Sequence, residues 1–139
     1  MPAVTRWYIK TGLAYFVVAL LLGVMLAAPA VVPLPPAIAV WGPVYFHLFM
    51  VGWVTQLIFG VVYWMFPRYS REQPRGREGL AVATFVLLNI GLVLRAIGEP
   101  IHSLRPAPAW GGLVALSAIL QWVAGMLFVI NTWARVKER

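Results

Sequence analysis

The sequence predicts an all-α integral membrane protein, a four-helix bundle with both termini cytoplasmic, and three observations carry that reading. Of its 139 residues, 62% are hydrophobic and 11% charged, with a mean hydropathy of +0.84, far from the values of a soluble domain. Four long apolar blocks are set apart by proline, glycine or arginine. Lys and Arg gather at alternate block ends. At ~20 residues per span and ~1.5 Å rise per residue the length suits about four helices with short connections, so 1–139 reads as one membrane domain.

The first helix is expected over roughly 7–28. Its basic start, its apolar run and the Ala28-Pro29-Ala30 triplet resemble a signal peptide, but the run is long enough to span and reads as a retained helix. The proline-rich stretch Val31 to Pro43 cannot continue it. The second helix is expected over roughly 40–66, with Pro43 tolerated in its first turn and Pro67 ending it. The third is expected over roughly 79–98, where Gly98 and Pro100 should stop it, and the fourth over roughly 110–133. Trp7, Tyr8, Trp41, Tyr45, Tyr63, Trp64, Tyr69, Trp110 and Trp133 fall near the block ends, as interfacial aromatic rings do.

The formal charge is +7, yet the basic residues flank apolar blocks instead of lining an amphipathic face among aromatics, which argues against nucleic acid. Arg6, Lys10, Arg68, Arg71, Arg75, Arg77, Arg135, Lys137 and Arg139 lie at one set of ends, and only Arg95 and Arg105 at the other. The positive-inside rule then places both termini and the middle loop in the cytoplasm. Cysteine is absent, which excludes disulfides, thiolate metal sites, iron–sulfur clusters and covalent haem attachment.

His47 and His102 are the only histidines. Helical rise puts His47 roughly 28 Å from Phe66 and His102 roughly 33 Å from Leu80, so the two rings are expected at similar depth near the outer face. An ionisable side chain inside an apolar span points to a function, the bland alternative being a neutral imidazole bonded to a helix carbonyl. Zinc catalysis wants more ligands than the chain supplies, and a proton relay wants an acid that no expected helix interior contains. Haem iron needs only one or two axial ligands and an apolar slot. Arg95 and Arg105 could neutralise haem propionates, or Arg95 could pair with Glu99 at i,i+4. Met50 could line the haem pocket, make a soft copper site with His47, or fill space. Thr55, Gln56, Asn89, Ser117, Gln121 and Asn131 are expected to join helices by hydrogen bonds.

The run His47-Leu48-Phe49-Met50-Val51-Gly52-Trp53, followed by Ile58-Phe59-Gly60-Val61-Val62-Tyr63 and Phe66-Pro67-Arg68, resembles the second transmembrane helix of the heme-copper oxidase superfamily. The likeness is to nitric oxide reductase and related subunit I-like proteins, whose helix begins with a haem-ligating histidine and ends in Gly-x-x-Tyr-x-x-x-Pro. That resemblance implies haem b on His47 in a bacterial or archaeal cell membrane, serving electron transfer with a respiratory-chain partner or binding of a diatomic gas such as NO or O2. It covers one helix, and the histidines of a binuclear centre are missing, so the chain is not expected to be a complete oxidase or reductase by itself. Where some relatives have a histidine after the helix-two tyrosine, Trp64 stands here. The sixth ligand is expected from His102, with a methionine, a second protomer in a homodimer, or none as alternatives. The rival reading is a haem-free accessory or assembly protein of a respiratory complex, and a transporter is disfavoured.

Overall fold

Prolines and the arginine-rich loop break the chain into four helices that pack as two neighbouring pairs. The computed structural model describes residues 1–136, and no strand occurs among them. Helix α1 covers Ala3–Ala27, and Pro29 turns the chain away in a short 3-10 turn, Ala28–Ala30. Helix α2 covers Pro36–Met65. It starts as a 3-10 segment, Pro36–Trp41, is α-helical over Gly42–His47, widens to a π-helix over Leu48–Thr55, and is α-helical again over Gln56–Met65. Helix α3 covers Glu78–Leu104, and α4 covers Pro108–Trp133 with Pro108 in its first turn. All four are long and apolar enough to cross a membrane.

Helix α1 lies along α2, and α3 along α4. The pairs are tied near the 66–77 loop, where Tyr8 on α1 donates its hydroxyl to the Ala81 carbonyl of α3 at 3.1 Å. Phe59 of α2 stacks on Phe128 of α4 with ring centroids 3.8 Å apart. Midway, the Gln56 and Asn89 amides exchange bonds of 3.2 and 3.3 Å, and Asn89 also donates to its own helix at Phe85. Two apolar clusters flank this amide pair. Val4, Tyr8, Tyr63 and Ala81 form one toward the loop, and Ala19, Val44, Leu48 and Leu92 the other toward His47. Outward the helices present apolar side chains such as Leu21, Val24 and Trp122. Cohesion in lipid therefore rests on close packing and on polar links rather than on removal of apolar surface from water.

Three sequence expectations need revision. Helix α3 does not stop at Gly98 but runs through Pro100 to Leu104, so Glu99 and His102 are helical. Gly98 packs closely on Leu113 and Val114 of α4, and a supporting neighbour lets a spanning helix tolerate the bond that proline removes. Tyr8 and Tyr63 are buried core residues, not members of an interfacial belt. Arg135, expected as a solvated flanking charge, is fully buried. The flanking charges Lys137 and Arg139 lie outside the described residues.

Burial of Arg135 has a local cause. Where α2 ends at Phe66-Pro67 its last carbonyls have no helical donor. The Arg135 guanidinium supplies donors to the carbonyls of Pro67 at 3.0 Å, Tyr63 at 3.1 Å, Phe66 at 2.8 Å and Arg75 at 3.5 Å. Burial lowers its pKa, yet arginine starts so high that it stays charged. The cation thus caps α2 and fastens the chain after α4 against the loop.

Arg135→Ala leaves these carbonyls without a donor and is expected to cost about 2–4 kcal/mol. Arg135→Lys should recover little, since one ammonium cannot reproduce the planar fork. Thermal unfolding in detergent checks this, and an unchanged melting temperature in Arg135→Ala would contradict the capping role.

Candidate functional site at the His47 end

His47 closes the α-helical segment Gly42–His47 and immediately precedes the π segment Leu48–Thr55. Its Nδ1 lies 2.8 Å from the carbonyl oxygen of Pro43, one turn earlier. A carbonyl only accepts, so Nδ1 carries the hydrogen and the lone pair resides on Nε2. The side chain is 24% exposed, and Nε2 makes no hydrogen bond and is not among the buried orphan atoms. The Phe46 ring stands edge-on at 6.0 Å, and Phe49 and Trp53 continue an aromatic wall along α2.

A polar chain runs from His47 across three helices. Glu99 of α3 places Oε2 at 3.6 Å from His47 Nδ1, too long for a hydrogen bond. Its Oε1 accepts from Arg95 Nη1 at 2.8 Å. Arg95 Nε in turn donates to Ser117 Oγ of α4 at 3.1 Å, and Gln121 donates to the same oxygen at 3.2 Å. Arg95 and Glu99 are each 14% exposed. Arg95, Glu99 and His102 recur at i, i+4 and i+7 and therefore share one face of α3.

The π segment shapes the α1 side. Thr55 Oγ1 donates to the Met50 carbonyl at 2.9 Å, five residues back, and supports the wide turn. A Cβ at Gly52 would come within 2.8 Å of Tyr15 Cγ, so only glycine lets α1 approach here. Such π turns recur at functional sites.

The expected site residues divide into two groups. His47 and Arg95 are brought together, with Glu99 bridging them, and Arg95 spends its charge on Glu99 as the i,i+4 alternative describes. His102 instead lies against Gly111 of α4, where a Cβ would meet its Cε1 at 3.5 Å, and its buried Nδ1 has no partner. Among the described residues no hydrogen bond or ring contact joins His102 or Met50 to His47. Met50 is 41% exposed, and Arg105 is exposed just beyond α3. Sequence reasoning missed Glu99 as the partner of His47 because it ended α3 at Gly98, six residues short of Leu104, and the i, i+4, i+7 spacing was the available signal. The expectation that no span contains an acid is overturned by the same residue.

This arrangement can offer one oriented imidazole nitrogen. Among the described residues no three His, Asp or Glu side chains come together, so a metal needing several protein ligands would find only part of its shell among them. A group satisfied by a single axial nitrogen fits, because the hydrogen-bonded Nδ1 fixes tautomer and ring orientation. No protein family, characterised protein or solved structure matches the chain.

Glu99→Gln leaves Arg95 without its counter-charge in a largely buried position and is expected to cost about 3–5 kcal/mol. Replacing both residues, Arg95→Met with Glu99→Met, should recover most of that loss. Thermal unfolding of the single and double variants reads the coupling, and additive losses would show that the pair is not a unit.

Proposed function

We propose that this chain is a multi-pass membrane protein that holds haem b through Nε2 of His47 and presents the open side of the iron to a diatomic gas. The observation that carries the reading is the Nδ1–H bond to the Pro43 carbonyl, which leaves Nε2 unprotonated, with its lone pair free to ligate. The likeness of His47 to Pro67 to an oxidase-type second helix supports the same assignment. Haem b, when bound, supplies a one-electron iron centre with an axial position for a gas. Pro43 orients the imidazole, and the Glu99 carboxylate 3.6 Å from Nδ1 favours the partial positive charge that ligation places on the ring. Phe46, edge-on to the imidazole, offers apolar surface beside the ligand.

A single ligand favours gas binding over electron transfer, and the position of His102 against Gly111 of α4, with no hydrogen bond or ring contact to His47 among the described residues, supports that choice. The greater load of Lys and Arg at the end carrying the 66–77 loop supports a cytoplasmic position for that end, in a bacterial or archaeal cell membrane, with His47 toward the outside. One observation favours a second reading, a haem-free accessory protein of a respiratory complex: Arg95 already spends its donors on Glu99 Oε1 and Ser117 Oγ without a propionate.

Purified protein from haem-replete cells is expected to show reduced-minus-oxidised Soret and α bands that are lost in His47→Ala and retained in His102→Ala. A colourless wild-type preparation would support the accessory reading. A low-spin spectrum that changes in His102→Ala would return His102 to the iron and favour electron transfer.

A further inference from the structure

At the opposite end of the bundle the 66–77 loop carries Arg68, Arg71, Arg75 and Arg77 beside one acidic residue, Glu72. Among the described residues, no carboxylate lies within ion-pair distance of Arg71, Arg75 or Arg77, although Glu72 and Glu78 are close in sequence. Beside this loop is a cavity of about 340 Å³ between the start of α3 and the end of α4. Tyr69, Gln73, Arg77 and Asn131 give it a polar rim, and Leu80 and Ile130 give it an apolar wall. Among the described residues no acidic one lines it, whereas an adjacent cavity of about 380 Å³ that shares Gln73, Gly76 and Arg77 is lined by both Glu72 and Glu78.

The wall is held by specific contacts. Asn131 Oδ1 accepts from the Arg77 backbone N–H at 2.9 Å, which docks the loop onto α4 and leaves the Asn131 amide hydrogens as donors. Gly76 has φ +78 and packs so closely that a Cβ would lie 2.6 Å from Asn131 Oδ1. Only glycine meets both demands, so the cavity is a built feature of the turn. The positive end of the α3 macrodipole adds to the attraction for an anion.

We infer that this cavity is a binding site for the phosphate of an anionic glycerophospholipid. A phosphate takes charge-assisted hydrogen bonds from Arg77 and further bonds from Tyr69, Gln73 and Asn131, while Leu80 and Ile130 receive the start of the acyl chains. The volume is in the range of small-molecule sites. The position at the end of two spanning helices selects a lipid over a free anion, because only a lipid satisfies the apolar wall and the cationic rim together. The site is independent of His47 and stands or falls apart from haem.

The test is native mass spectrometry of the full chain in mild detergent with added phosphatidylglycerol or phosphatidylcholine. Phosphatidylglycerol is expected to be retained preferentially, and Arg77→Gln to weaken retention about fivefold. Ala134→Leu, which fills the cavity without changing charge, should weaken it as well, while Arg6→Gln, at the same end but outside the cavity, should not. Equal retention of both lipids, or unchanged retention in Arg77→Gln and Ala134→Leu, would overturn the site. Displacement of the lipid by millimolar inorganic phosphate would overturn the lipid assignment in favour of a free-anion site.

Discussion

In hydrocarbon an unpaired polar group has no water to turn to, and this constraint decides most of what holds the chain together. Arg135 collects the stranded carbonyls at the end of α2. Gln56 and Asn89 satisfy each other across α2 and α3. Arg95 is shared between Glu99 and Ser117 and draws α3 to α4. Where so many polar groups are matched, the accessible unpaired nitrogen of His47 stands out. Its Nδ1 is committed to Pro43 and its Nε2 to nothing in the chain. The buried orphans Thr5 Oγ1, Trp53 Nε1, Glu99 Oε2 and His102 Nδ1 differ from it in being closed off from any incoming group, whereas His102 Nε2 is not among them.

How much was legible in the sequence follows from which forces act over short stretches. Long apolar runs and prolines are local signals, so four spans could be read directly, although α2 begins at Pro36 and α4 at Pro108, ahead of the expected 40 and 110. The interhelical duties of Gln56, Asn89 and Ser117 were readable as a class, because a polar side chain in a span has few other fates, but their partners were not. The end of α3 was misread because Gly98 and Pro100 are helix breakers in water, and only the packing of Gly98 on α4 shows why they fail to break this helix. The π turn after His47 depends on the approach of Tyr15 to Gly52, a contact between helices that no periodicity reveals. Arg135 and Tyr8 were taken for interfacial residues because their partners lie on elements distant in sequence.

The two ends of the bundle do different work. Near His47 a charge pair and an imidazole sit within the spans and are fixed by neighbours on three helices, as suits a site that must hold one geometry. Near the 66–77 loop Arg77 borders a cavity, and among the described residues no carboxylate lies within ion-pair distance of Arg71, Arg75 or Arg77, as suits the proposed contact with anionic headgroups. The Gln56–Asn89 pair and the flanking apolar clusters separate them, so changes at one end should leave the other intact.

The central claim is that His47 meets the iron through Nε2 while Nδ1 stays bonded to the protein. Pulsed electron spin resonance on the ferric protein, grown with histidine labelled with ¹⁵N only at Nε2, measures this directly. The account predicts hyperfine coupling from one labelled nitrogen, present in His102→Ala and absent in His47→Ala. Coupling carried by unlabelled Nδ1, or no histidine coupling at all, would contradict it.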